Sequence, residues 1–310
     1  MTRWLVLGLV ALPLLCGRSS AELPDGNATI RKKAGESEIV ITTTGRLAGA
    51  IHSLTWGGRE FIDSHDHGRQ LQSASNLDLG SPILDETYNP TEAGSSRDGV
   101  GERSSSRLLF SRVEPAGLQT VTQMAFWLAP GEKSGANPAK NTSILSDHLL
   151  TKRVQVGYED MPHVIPYDVT FSLPLGEHHT QATFEALTAY LPPEFAEFRQ
   201  YDAVSGELVP ISDGPGEGPQ PLVFSIPGGT HAMGIYAPPQ AAARITGPTF
   251  GRFRFHAEKV VKWNCVFRLR DAAGITPGDY SFRMFVLVGT ESDVRDGLRA
   301  LDRKFAARAR

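Results

Sequence analysis

The residues of this chain best suited to chemistry fall in one short tract, His65-Asp66-His67-Gly68-Arg69-Gln70-Leu71-Gln72, followed by Tyr88-Asn89-Pro90-Thr91-Glu92-Ala93-Gly94. If residues 65–72 are extended, alternate side chains share a face, and His65, His67 and Arg69 project together at spacings of about 6.5–7 Å. Two imidazoles and a guanidinium make a cationic, proton-exchanging surface that suits a polyhydroxylated or carboxylated ligand. Arg69 could clamp a carboxylate or vicinal hydroxyls, and His67 could move a proton near neutral pH. Glu92, in a Pro-Thr-Glu-Ala-Gly turn, is the candidate partner acid or base, and the Gln72 amide could bind hydroxyls.

Two further groups have comparable chemistry. Met161-Pro162-His163-Val164-Ile165-Pro166-Tyr167, with His178, His179, Glu185 and Tyr190, offers a tyrosine–histidine pair that could abstract a proton next to a uronate carboxylate. Glu92 and Glu185 could instead serve glycoside hydrolysis if they stand roughly 5–9 Å apart. In Lys262-Trp263-Asn264 an aromatic sits between a cation and an amide, a combination that grips a sugar ring; a core tryptophan within a strand is the competing reading. The expected catalytic residues are therefore His67, Glu92 and Glu185. The expected substrate-binding residues are His65, Arg69, Gln72, His163, Tyr167, Tyr190 and Trp263. No cofactor is expected. His-x-His with Asp66, His148, His163, His178 or His179 supplies ligand types for a metal, but no cysteine pair or helical His-x-x-x-His supports a metal centre.

The elements that must position these groups read as strands. Alternating apolar and polar residues, rich in β-branched types, recur at 38–43, 48–56, 59–62, 107–113, 119–128, 149–156, 164–173, 181–190, 222–226, 231–236, 250–255, 259–270 and 280–288. Glycine (31) and proline (21) punctuate nearly every gap, as many turns require. The one helical pattern is C-terminal: Thr290-Glu291-Ser292-Asp293 resembles a capping box, and Val294, Leu298, Leu301 and Phe305 follow at helical spacing. So many strands exceed one small sandwich. The fold class expected is all-β, a large double-sheet β-supersandwich with one C-terminal α-helix.

Composition narrows the function classes. Of 310 residues, 40% are hydrophobic and 21% charged, and the net charge of −3 gives no general attraction to nucleic acid or an anionic membrane. Arg3, the apolar run Trp4–Leu15 and Ser19-Ser20-Ala21 stand in the order of a signal peptide over 1–21, leaving 22–310 as a single carbohydrate-active domain. The alternative is lipid attachment at Cys16, with Leu15 in place of the small residue expected before it. Cleavage after Ala21 leaves Cys265 as the lone cysteine, so stability must come from the core rather than a disulfide. No Gly-x-Ser-x-Gly elbow, P-loop or dinucleotide fingerprint is present.

The hairpin segment Gly45-Arg46-Leu47-Ala48-Gly49-Ala50-Ile51-His52-Ser53-Leu54-Thr55-Trp56-Gly57-Gly58-Arg59-Glu60-Phe61-Ile62 precedes an arginine-containing tract. In this segment and in its strand-rich layout the chain resembles the galactose-mutarotase-like, or aldose-epimerase-like, β-supersandwich superfamily. That superfamily includes aldose epimerases, polysaccharide lyases and domains of glycoside hydrolases, with ligands on the concave sheet. The resemblance implies that His67 and Arg69 contact sugar. The epimerases' histidine before a Phe-Asn-Leu-like stretch is absent, as is their late glutamate motif, which points away from simple mutarotation.

The expectation is a secreted or periplasmic protein that takes an oligo- or polysaccharide, an enzyme cleaving it by hydrolysis or β-elimination. The alternatives are a non-catalytic periplasmic carbohydrate-binding protein and an aldose-epimerase-like isomerase. Neither nucleic acid nor a membrane, beyond export, is an expected partner. If the leader reading holds, mass spectrometry of protein made in its native host will find a mature chain starting at Glu22; a cytoplasmic product retaining Met1 would contradict it.

Overall fold

A computed structural model describes residues 23–80, 82–240 and 244–306. The expected leader and its cleavage site lie outside them. The fold is the expected double sheet. One layer runs through the strands 28–34, 37–43, 51–56, 71–77, 181–191, 260–270, 245–255 and 216–218, each antiparallel to the next. The other runs through 107–114, 117–126, 145–155, 164–173, 278–289, 232–236, 222–225, 197–202 and 207–210. The short strand Pro90–Thr91 pairs with both layers, through Ala74 and through Ala125 and Phe126.

Alternation turns every second residue of strands such as 145–155 and 164–173 inward. Phe184 from one layer meets Phe171 and Phe282 from the other at ring-centroid distances of 5.0 and 5.2 Å, and Phe267 stacks on Phe282 at 4.4 Å. Burying such rings stabilises by roughly 1.5–3 kcal/mol each. The helix Glu291–Ala306 begins where its pattern predicts: Asp293 N donates to Thr290 Oγ1 (3.2 Å) and Thr290 N donates back to Asp293 Oδ2 (2.9 Å). Its apolar stripe, Val294, Leu298, Leu301 and Phe305, packs on Tyr236, Phe285 and Leu287 of the second layer.

One polar chain crosses this apolar interior. Lys152, fully buried on the 145–155 strand, donates to Gly49 O at 3.1 Å and is in direct contact with the equally buried Glu92. Glu92 Oε2 accepts from Ser73 N (3.1 Å), and Ser73 Oγ donates to Ala186 O (2.7 Å). Ala186 is where the 181–191 strand carries one extra residue relative to both neighbours. A bulge leaves ladder groups unpaired, and Ser73 supplies the missing donor.

Glu92 is thus not a groove residue as expected; it is the counter-ion of a lysine in the core. Removing one partner of a buried pair leaves an uncompensated charge, so Glu92→Gln should destabilise by about 3–5 kcal/mol. The double variant Glu92→Met, Lys152→Met should recover much of that loss but not all, because the Ser73 amide remains unmet. Urea unfolding midpoints decide this; an unchanged midpoint for Glu92→Gln would refute the pair's structural role.

Candidate functional site

The bulge at Ala186 sets which side chains leave the core. Before it, Thr183 and Glu185 point outward; after it, Thr188 and Tyr190 do. Register then lays rows across the outer face of four strands. Tyr190 stands opposite Lys262, and Lys262 opposite Phe253. The next row is Gln72, Thr188, Asn264 and Gly251, then Ala74, Glu185, Val266 and Thr249, then Asn76, Thr183, Arg268 and Thr246. Apart from Gly251, Thr249 and Thr246, these residues line a groove of about 710 Å³, within the roughly 300–1,000 Å³ of small-molecule sites.

The groove's groups are held by one another. Lys262 Nζ donates to Glu185 Oε2 at 3.2 Å, and Thr188 Oγ1 donates to the same oxygen at 2.9 Å. The Lys262 ammonium also lies 5.3 Å from the Tyr190 ring centre and 5.4 Å from that of Phe253. Phe253 and Phe255 are nearly parallel at 6.0 Å, and Phe255 and Tyr190 follow at 6.5 Å. Asn264 Oδ1 accepts from Gly251 N (3.0 Å); a Cβ at 251 would sit 2.3 Å from that oxygen, so the amide needs glycine opposite it. Arg268 forks onto Glu217 at 2.6 and 2.9 Å. On the wall, Arg69 Nε and Nη2 both reach Asp66 Oδ2 (3.0 and 2.8 Å). Trp127 lies over Gly68, where a Cβ would come within 2.8 Å of the indole.

Electrostatics follow from these pairs. Burial alone would push the Glu185 carboxyl up, but the Lys262 ammonium and the hydrogen bonds from Thr188 and Asn264 outweigh it and hold it below the usual range. Burial likewise would lower the Lys262 ammonium, yet Glu185 raises it. The Arg268 guanidinium lowers Glu217. Both carboxyls are therefore ionised at neutral pH. The lining carries six carboxylates against three cations, a formal charge of −3.

Of the expected site residues, Arg69, Gln72, Glu185 and Tyr190 line this groove; Gln72 spends its amide on Gly68 O (2.9 Å) and Ala93 N (3.2 Å). The others lie elsewhere. Residues 65–70 are not extended, because Asp63 and Asp66 cap the His65 and Gly68 amides (3.0 and 2.9 Å) and turn the chain; the strand starts at Leu71. His65 is consequently exposed away from the groove. His67 is buried with its ring nitrogens facing Gly99 O (2.8 Å) and Arg46 O (2.9 Å). His163 packs against Trp56 (5.4 Å) and bonds Val288 O (2.8 Å). Tyr167 is an inward residue of the 164–173 strand, wholly buried. Trp263 also points inward, because strand alternation sends Lys262 and Asn264 to the groove and the residue between them to the core.

The sequence reading missed Trp127, Glu217, Phe253, Phe255 and Arg268 as site residues, and read Lys262 and Asn264 only through Trp263. The alternation in 259–270 could have found Lys262, Asn264 and Arg268. Among the described residues, three side chains able to hold a metal cluster outside this groove, at His148, Glu177 and His179.

No protein-family description and no curated protein matches the chain. Solved structures do resemble it in layout. One is the Slr1438 protein of Synechocystis sp. PCC 6803, 13% identical over 87% of this chain and 99% of that one, with a TM-score of 0.44. A provisionally assigned aldose 1-epimerase of Klebsiella pneumoniae is 10% identical over 90% and 92%, TM-score 0.44. A heparan sulfate lyase of Pedobacter heparinus is 10% identical over 86% of this chain but 35% of the lyase, TM-score 0.40.

The Glu185–Lys262 pair gives the site a pH signature. The folded-state value of Glu185 lies below the ordinary 4.5. The pair's contribution is therefore fully present above about pH 4.5 and is lost as pH falls through the folded-state value. The stability advantage of wild type over Glu185→Gln, measured by urea unfolding, should be constant from pH 7 to 5 and shrink below pH 4.5. A difference independent of pH down to 3 would contradict the assignment.

Proposed function

We propose that the protein recognises the sugar rings of a neutral glycan in the concave groove, as an exported carbohydrate-binding protein. The observation that carries this reading is the row Tyr190–Lys262–Phe253 beside the row Thr188–Asn264: aromatic faces suited to the C–H face of a pyranose lie next to donors and acceptors suited to its hydroxyls. The resemblance of residues 45–62 to sugar-binding supersandwiches supports the same class of ligand.

The groove's charge argues against a polyanion. A lyase must hold a uronate carboxylate, and here each cation already has its carboxylate while the lining is net negative. Hydrolysis by two carboxylates needs one kept protonated by a raised pKa; of the pair expected for it, Glu92 is buried in the core and Glu185 is held low. Glycan cleavage, the leading expectation from the sequence, therefore has less support than recognition.

One second reading has an observation of its own. Ionised Glu185, the Lys262 ammonium and the Tyr190 phenol share one face, so a base and two proton carriers could serve a single proton transfer on a sugar, as an isomerase requires.

Glycan-array binding followed by calorimetry should find neutral oligosaccharides preferred over uronate polymers. Tyr190→Ala and Glu185→Gln should each weaken binding by roughly ten- to a hundredfold. Binding confined to polyuronides, or affinity unchanged in both variants, would overturn the proposal. Mass spectrometry and proton NMR on the same mixtures separate the readings: intact glycan with unaltered anomers supports a binder, an unsaturated product a lyase, and faster anomeric exchange an isomerase.

A further inference from the structure

At one end of the groove, beneath its wall, a second set of side chains converges. His148 lies on the 145–155 strand, and Glu177 and His179 lie in the loop between 164–173 and 181–191. His148 Nε2 and His179 Nε2 each stand 2.8 Å from Glu177 Oε2, and the three ligand atoms lie within 4.8 Å of one another. Both imidazoles are 2% exposed. Tyr88 Oη donates to the other oxygen, Glu177 Oε1, at 2.6 Å.

The surroundings of His179 fix which of its nitrogens carries a proton. Its Nδ1 faces the carbonyl oxygen of Asp78, an atom that can only accept, so Nδ1 must donate. The Asp78 carboxylate is itself anchored by Thr180 N (2.8 Å), Thr180 Oγ1 (2.6 Å) and Gln181 N (2.9 Å). In a neutral His179 the Nε2 lone pair then points at a carboxylate lone pair. Two lone pairs facing each other in a buried place require something positive between them, which is either the proton of an imidazolium or a metal cation. A backbone carbonyl holding the far nitrogen of an imidazole is also the arrangement that orients histidine ligands toward a metal.

We infer that His148 Nε2, His179 Nε2 and one oxygen of Glu177 form a binding site for a zinc-class divalent cation, with one coordination position left open. Two imidazoles and a carboxylate suit zinc or cobalt rather than calcium or magnesium, which prefer all-oxygen shells. With bonds of about 2.0–2.1 Å, tetrahedral ligands stand roughly 3.3 Å apart, so admitting the ion asks the present 2.8 Å contacts to open by about half an ångström. Tyr88, by holding Glu177 Oε1, keeps the carboxylate monodentate. The ion would cross-link the 145–155 strand to the 174–180 loop. Through Tyr88 it would also tie down the segment whose Glu86 and Asn89 wall the groove. This cross-linking does not depend on what the groove binds.

The test uses the untagged full chain after dialysis against a chelator, with Co²⁺ and then Zn²⁺ as probes. The expected result is uptake of one Co²⁺ per chain with the intense visible bands of a four-coordinate site, displacement by one Zn²⁺, and a Kd below about 1 μM. Glu177→Gln and His148→Ala should weaken Zn²⁺ binding at least a hundredfold. Zn²⁺ should raise the melting temperature of wild type but not of Glu177→Gln. Should a variant fail to fold, the wild-type cobalt titration decides alone. No saturable uptake, the weak spectrum of six-coordinate cobalt, or unchanged affinity in folded variants would each overturn the site, leaving an imidazolium–carboxylate network.

Discussion

The groove depends on one buried hydrogen bond, from Ser73 Oγ to the carbonyl of Ala186. An extra residue in a strand exposes a carbonyl that its neighbours do not satisfy, and inside a sandwich no water is at hand to do so; leaving it bare costs about 1–3 kcal/mol. Ser73 meets that need because its own amide is fixed by Glu92, which is fixed in turn by Lys152 from the opposite layer. The consequence for the site is one of parity. Without the extra residue, Glu185 and Thr188 would face opposite sides of the sheet. With it they share a face and a hydrogen bond, and Tyr190 falls in line with Lys262 and Phe253.

Most of the architecture was legible in the sequence because apolar alternation is a direct record of a face turned to a core. The strands 164–173, 181–191 and 260–270 and the helix after Thr290 lie where that pattern puts them. The strand 71–77 was not legible because its inward residues include Ser73 and Ser75, small polar groups where the pattern asks for apolar ones. Reading the tract before it as extended placed His65 and His67 with Arg69, whereas two aspartate-capped turns separate them.

The lining of the candidate groove was half legible. Glu185, Tyr190 and Arg69 could be named from type and setting. Glu92 could not be placed, since its partner Lys152 is 60 residues away and nothing local announces a buried pair. Trp263 shows the limit of reading residue types without a face: the aromatic that looked most suited to a sugar is turned inward, and its polar neighbours Lys262 and Asn264 reach the groove. Phe253 and Phe255 join them only because the adjacent strand pairs in that register. Every cation in the groove is matched to a carboxylate, which leaves a surface of fixed, satisfied groups. On the proposed reading, such a surface suits a ligand that brings hydroxyls and apolar ring faces rather than charge.

The most direct test of this account is a crystal structure of the protein with a neutral oligosaccharide selected by array binding. The account predicts a pyranose ring against Tyr190, Phe253 or Phe255, with hydroxyls within about 3.2 Å of Glu185 and Asn264. A glycan bound on any other face, with the concave groove holding only solvent, would contradict it.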